Sequence, residues 1–274
     1  MGVVSAIVVA AIGLAATMTA AWLIAVRSGK SGWVDAIWSF AVGIFGASAA
    51  LIVSVEGDNH QRKWLVAVLA LVWSLRLGIH IAMRTIGDDR DDPRYSELKR
   101  EWGDGFRSRL FWFLQIQATA ALLLVLSIMA ASHNPRPVLG VADWVGIALM
   151  AAAVGGEALA DRQLQAFRAD PANKGKVCDV GLWARSRHPN YFFEWLGWIA
   201  YAAIALGQAV AYPWGFAALA GPVLMYWLLV HVSGIPPLEA HMLRSRGEQF
   251  RRYQARVNAF WPGAPKASTV NEGR

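Results

Sequence analysis

Cysteine is almost missing from this chain: Cys178 is the single one among 274 residues. That excludes a disulfide framework and any multi-cysteine metal site, and no metal is expected. Charge is scarce as well, with Asp, Glu, Lys and Arg at 16%, where an ordinary soluble domain carries about a quarter. Length alone would permit one or two soluble domains, but so low a charge content argues against both. Acidic residues are the rarer sign, 19 against 26 basic. The resulting +7 sits on a mostly apolar chain, a poor match to intrinsic disorder or a nucleic-acid-binding surface. No Gly-x-Gly-x-x-Gly follows a strand-like run, which removes a Rossmann nucleotide site. Internal repeats and low-complexity linkers are lacking too, so one bundle over 1–274 is expected.

What the chain has in abundance is apolar length. Apolar residues reach 56%, Trp occurs 14 times, and mean hydropathy is +0.35. A spanning helix needs about 20 predominantly apolar residues, because lipid offers no partner to backbone N–H and C=O groups. Seven stretches qualify: 3–26, 33–55, 64–83, 110–131, 141–160, 191–210 and 214–232. The first is too long for a signal-peptide core and lacks a basic leader, so it reads as a span. The expected fold is therefore an all-α, seven-helix integral membrane bundle. Of the 26 basic residues, 22 fall in the odd-numbered connections and the C-terminal tail, and Arg62, Lys63 and Arg136 fall in the even-numbered ones. Positive residues stay in the cytosol, which predicts an outside N-terminus, a cytosolic C-terminus and a bacterial inner-membrane setting. Residues 1–135 would hold the substrate helices and 136–262 the cofactor side, with a flexible tail over 263–274.

Ionisable residues inside spans are expensive and mark partners or wet cavities. Asp35 opens the second span, with Trp38 one turn on. Trp73, Arg76, His80 and Arg84 follow at helical spacing on the third. Glu157, Asp161 and Arg168 line up on the fifth if it runs about two turns past the membrane. Asn190 and Glu194 open the sixth, followed by Trp198 and Tyr201. Asp35, Arg76 and His80 are the candidate acids for chemistry on substrate, and a structural Asp35–Arg76 ion pair is the bland alternative. Most Trp residues read as belt anchors at headgroup level, and Gln115 and Gln117 as helix ties.

The densest segment is Gly181-Leu-Trp-Ala-Arg-Ser-Arg-His-Pro-Asn-Tyr-Phe-Phe-Glu194. Pro189 starts a helix there. Arg185, Arg187 and His188 precede that helix, and Arg168, Lys174 and Lys176 add charge. Guanidinium groups grip phosphate bidentately and a helix N-terminus attracts anions, so the loop predicts a phosphate-rich ligand.

This segment, with Asp161-Arg-Gln-Leu-Gln-Ala-Phe-Arg168 before it and Glu239, His241, Gly247, Tyr253 and Val257-Asn-Ala-Phe-Trp-Pro262 after it, resembles the C-terminal half of steroid 5α-reductases. The bacterial branch of that family, formerly of unknown function, is the nearest pattern. The resemblance is strong over 140–262 and weak before residue 80. It implies a seven-helix membrane enzyme that takes NADPH from the cytosol and reduces a carbon–carbon double bond conjugated to a ketone. It further implies that Arg94, Glu157, Asp161, Arg168, Arg187, His188, Asn190, Tyr191, Glu194 and His241 surround the cofactor. Steroid-specific members polarise the ketone with an N-terminal glutamate and tyrosine. Here Ile81 stands at the expected tyrosine position, and no tyrosine lies in the first four spans. A lipophilic substrate from the bilayer, not necessarily a steroid, is the expected partner. Two alternatives stay open: an S-adenosylmethionine-dependent methyltransferase of the isoprenylcysteine carboxyl type, which shares the Arg-His-Pro-x-Tyr element, and a non-enzymatic membrane protein.

Overall fold

Runs of Ala, Val, Leu and Ile without an interrupting charge satisfy their backbone only as helix, and helix is what forms. A computed structural model describes residues 1–87, 91–207 and 211–266, among which helix is the sole regular structure and no strand occurs. The α-helices are α1 (Val3–Ser28), α2 (Gly32–Ile52), α3 (His60–Gly87), α4 (Pro93–Trp102), α5 (Phe106–Ser132), α6 (Val141–Ala169), α7 (Pro189–Leu206), α8 (Ala220–Trp227), α9 (Ile235–Arg246) and α10 (Glu248–Arg256). The sequence connection 208–213 lies partly, and the expected flexible tail mostly, outside the described residues.

Six segments are long and apolar enough to cross a membrane: Val3–Ser28, Gly32–Ile52, His60–Gly87, Arg94–Ser132, Val141–Ala169 and Pro213–Arg246. The protein is a multi-pass membrane protein. The stretch expected at 191–210 is not among the six. Its helix, α7, has 18 residues and begins with Pro189, Asn190, Tyr191 and Glu194, so polar groups dilute its apolar run. The stretch expected at 214–232 is not one regular helix. It is a 3-10 helix (Pro213–Leu219), then α8, then a π-helix (Leu228–Val232). Pro213 and Gly215, poor helix formers, lie in the 3-10 piece, and Gly221 and Pro222 in the first turn of α8 that follows it. Gly234 is required just after it, since a Cβ there would lie 2.4 Å from the Leu229 carbonyl oxygen.

The chain divides into two compact units, Met1–Met150 with Ile199–Leu224, and Ala151–Trp198 with Met225–Arg274. In the first, α1, α2, α3 and α5 pack on one another around Leu14, Met18, Val42, Trp73, Leu114, Leu124 and Ile128. In lipid, such association depends on close backbone approach at small residues rather than on expulsion of water. Gly43 supplies it: an added Cβ would meet the Ser74 side chain at 2.1 Å.

One end of this unit holds a buried polar knot that the sequence does not foretell. Arg62 and Lys63, expected in a connecting turn, are buried in the first turn of α3. Arg62 Nε donates to Asp143 Oδ1 at 2.7 Å and Nη2 to Oδ2 at 3.0 Å. Its remaining hydrogens go to the carbonyls of Asn134, Arg136 and Val138. Beside it Asp58 takes Lys63 Nζ at 3.2 Å and His133 Nδ1 at 2.8 Å. Burial alone would raise the Asp58 pKa, but the Val55 amide, His133 and Lys63 outweigh it and leave the carboxyl below its usual range.

The second unit is held by its C-terminal strap. Phe250, Tyr253 and Val257 pack on Val177. The Tyr253 hydroxyl donates to the Trp183 carbonyl at 2.5 Å, and Ser186 Oγ to that of Phe260 at 2.9 Å. Phe192, Trp195, Tyr226, Phe260 and Trp261 cluster through edge-to-face contacts with centroids 5.2–5.9 Å apart, such as Trp195–Trp261 and Trp195–Phe260, an arrangement aromatic quadrupoles favour.

Candidate functional site

In the first unit the site grows from the α2 N-terminus and the turn into α4. Ser31 donates to Asp91 through N at 2.6 Å and Oγ at 3.1 Å. Asp92 caps α4 by accepting from Arg94 N at 3.0 Å, and Arg84 reaches its other oxygen at 3.2 Å. With the turn so fixed, the first residues of α4 meet Asp35 in the first turn of α2. Arg94 Nη2 donates to Asp35 Oδ2 at 2.5 Å and to Asp92 Oδ2 at 3.0 Å. The Tyr95 hydroxyl, in a side chain 3% exposed, donates to Asp35 Oδ1 at 3.2 Å. On α5, Gln117 Nε2 lies 3.5 Å from the same hydroxyl, while Trp38 Nε1 donates to the Gln117 carbonyl at 3.0 Å. The Gln117 Oε1 atom is buried with no hydrogen-bond partner among the described residues.

Two expectations change here. Asp35 forms an ion pair with Arg94, a partner the sequence reading did not give it. Arg94, assigned to the cofactor by resemblance, spends its guanidinium on Asp35 and Asp92. Arg76 is half-buried on α3 and His80 is exposed one turn on. Tyr95 and Gln117 were missed as site residues. The signal for Tyr95 is present in the Asp92-Pro-Arg-Tyr95 run, which the sequence reading places in the connection before its fourth span at 110–131.

In the second unit the site gathers around the α7 N-terminus. Arg187 Nε donates to Glu239 Oε1 at 2.7 Å and Nη2 to Oε2 at 3.2 Å. Its Nη1 is taken by the carbonyls of Gln254 (3.2 Å) and Val257 (2.5 Å). His188, 3% exposed, sets Nε2 3.0 Å from Glu239 Oε1, and its ring stacks on Tyr191 at 5.5 Å and 9°. Burial lowers the His188 pKa, and the opposing pull of Glu239 does not restore it. Gln254 Nε2 completes the carboxylate at 2.7 Å. Arg187 therefore ties the strap to the helix and has no fork left for a phosphate. Arg168, Lys174, Lys176 and Arg185 remain exposed.

Glu157 is buried and Asp161 half-buried on α6, which runs on to Ala169 as their spacing required. Glu194 is buried on α7 and accepts from Trp198 Nε1 at 3.2 Å. Asn190 and Tyr191 are half-buried in the first turn, and His241 is exposed on α9. An open groove of about 460 Å³ is lined by Gln163, Phe167 and Asn173, among others. Gln163 Oε1 accepts from Leu182 N at 2.9 Å. Gly181 beside it has φ +59°, and a Cβ there would lie 2.6 Å from the Gln163 amide, so glycine is needed on both counts. Glu239 was not picked out as a site residue from sequence, because Arg187 and His188 lie 52 and 51 residues away.

The family model described as a protein of unknown function (DUF1295) matches residues 21–257, and the chain belongs to that family. No curated protein and no solved structure matches it.

Proposed function

We propose that this DUF1295 protein reduces a carbon–carbon double bond conjugated to a carbonyl in a lipophilic substrate, with NADPH as reductant. The observation that carries the reading is Tyr95, a buried phenol 3.2 Å from one oxygen of a carboxylate whose other oxygen pairs with Arg94. It fills the gap that the resemblance to steroid 5α-reductases left open, a tyrosine to polarise the substrate ketone. The same reading carries the seven-span count with α7 included, the cytosolic C-terminus and the inner-membrane setting.

The second unit's residues fit a nicotinamide dinucleotide. Exposed Arg168, Lys174, Lys176 and Arg185 supply charge for phosphates. Asp161, Asn190, Tyr191, Glu194 and His241 supply directional bonds, and the buried His188 keeps one nitrogen, Nδ1, without a partner among the described residues. When bound, NADPH supplies the hydride that the β-carbon receives. Negative charge then develops on the substrate oxygen, and a positioned donor in a dry site stabilises it. Tyr95 is that donor. Its bond to Asp35, at 3.2 Å, is long for O–H···O, so the phenol readily turns its O–H from the carboxylate to the substrate oxygen. Asp35 orients the phenol through Oδ1, and Arg94 fixes the carboxyl through Oδ2.

The test is thermal stabilisation in detergent. NADPH raises the melting temperature and NADH does so less. Arg168→Ala weakens NADPH binding by about 1.5–3 kcal/mol through a lost charge-assisted bond. Stabilisation by S-adenosylmethionine and by neither nicotinamide nucleotide would replace the reductase with a methyltransferase.

A further inference from the structure

The knot of Arg187, His188 and Glu239 leaves one polar atom unaccounted for. Glu239 is gripped by Arg187 through both oxygens and by Gln254, so it is an ionised carboxylate and can only accept. The imidazole facing it at 3.0 Å must then present Nε2–H. In a neutral ring the other nitrogen, Nδ1, is a bare lone pair. His188 is 3% exposed, and its Nδ1 is buried with no hydrogen-bond partner among the described residues. It does not cap α7: no backbone N–H of the first turn reaches it, and His188's own N–H is turned to Ser186 Oγ at 3.1 Å. Buried polar atoms without partners are rare enough that each calls for an explanation. The ring stays neutral because burial disfavours the imidazolium and Arg187 adds like charge beside it.

Resting on the nicotinamide-nucleotide reading above, we infer that His188 Nδ1 accepts a hydrogen bond from an N–H or O–H group of the bound nucleotide, with Glu239 as the positioning residue that fixes the tautomer. Ionised phosphate oxygens have no hydrogen to give, so the Arg187–His188 pair does not read phosphate, as a basic cluster suggests. It reads a donor, and a dinucleotide offers three kinds: ribose hydroxyls, the adenine amino group and the carboxamide N–H. The tautomer makes this selective. A ring protonated at Nδ1 would repel the same donor.

Two substitutions separate this role from a structural one. His188→Gln keeps a donor for Glu239 but removes the acceptor at the Nδ1 position. His188→Asn keeps an acceptor near Nδ1 but surrenders the Glu239 contact. The inference expects His188→Gln to melt like wild type and to bind NADPH about tenfold or more weakly. It expects His188→Asn to melt lower yet lose less NADPH affinity than the Gln variant. The reverse pattern, with Gln harmless to binding and Asn not, overturns it.

Nitrogen-15 spectra of histidine-labelled protein in detergent give the direct readout, with His188 assigned by its loss in His188→Gln. The free protein should show Nδ1 unprotonated and Nε2 protonated, and saturating NADPH should shift Nδ1 as its lone pair engages. A proton found on Nδ1, or an Nδ1 resonance unmoved while NADPH raises the melting temperature, overturns the inference and leaves a trapped water as the partner. 2′-Phospho-ADP-ribose, which lacks the carboxamide, tells the sources apart. A shift with this probe assigns a ribose hydroxyl or the adenine amino group, and a shift with NADPH alone assigns the carboxamide. If NADPH fails to stabilise the wild type at all, the proposed function falls and takes this ligand with it. Stabilisation without a response at Nδ1 sinks the inference alone.

Discussion

The Tyr95 hydroxyl sits 3.2 Å from Asp35 Oδ1 while Arg94, the preceding residue, holds Asp35 Oδ2. Two neighbouring residues of one helix thus grip both oxygens of a carboxylate on another. Removing the hydroxyl alone isolates its chemistry. Tyr95→Phe should lower turnover of a reducible enone about 100-fold or more, with NADPH-dependent stabilisation unchanged. A Phe variant at full rate would remove Tyr95 from the proposed chemistry.

Asp35→Asn tests the other half of the pair. It keeps shape and one acceptor but strands the Arg94 charge beside Asp92. Turnover should drop by less than in Tyr95→Phe, and stability should fall modestly, since the Arg94 side chain is 37% exposed and solvent shares its charge. Calorimetry and enone turnover on the same preparation decide it; a rate loss exceeding that of Tyr95→Phe would make Asp35 itself the proton source.

Arg62 and Asp143 form a buried pair with side-chain exposures of 0% and 3%. Asp143→Asn should destabilise the fold by about 3–5 kcal/mol, because it leaves an uncompensated buried guanidinium. Arg62→Met combined with Asp143→Leu should recover much of that loss, although the carbonyls of Asn134, Arg136 and Val138 then lose their donors. Denaturation midpoints of the single and double variants make the comparison.

Stability should also fall in acid, in two windows. The His188 pKa is lowered in the folded state, chiefly by burial and with Arg187 adding to it against Glu239. The unfolded chain therefore takes up the proton first, and stability declines as pH drops below the ordinary histidine value of about 6.5. The Asp58 and Asp92 carboxyls are lowered despite burial, the first by Val55, His133 and Lys63, the second by Arg94 and Arg84. Their contribution is complete above the ordinary aspartate value of 3.8 and is lost as pH falls below it. Melting temperature against pH should bend at both places, and His188→Gln should erase the upper bend.

Glu239→Gln should loosen the strap without unfolding the helices of the first unit. The amide cannot serve Arg187, Gln254 and His188 together as the carboxylate does. Hydrogen exchange over α10 should quicken, with α2 and α3 unchanged; exchange over α10 equal to that of the wild type would show that Tyr253 and Ser186 hold the strap by themselves.

The helices were legible in the sequence because lipid leaves a backbone only one open-ended way to satisfy itself, and uncharged runs such as Leu110 onward announce that directly. The candidate loop before Pro189 was legible because its residues are contiguous. By itself, then, the sequence determined an all-helical membrane chain, the places of α1 to α3, α5 and α6, and the Arg-His-Pro-Asn-Tyr element. Tertiary structure decided the pairings. Asp35 meets Arg94 and Tyr95 from 59 and 60 residues away, Glu239 meets Arg187 from 52, and Arg62 meets Asp143 from 81. Periodicity reports which face of a helix is apolar, but it carries no record of which turn folds back onto that face. A charge finds its partner through the path of the backbone between them, and only the folded chain supplies that path.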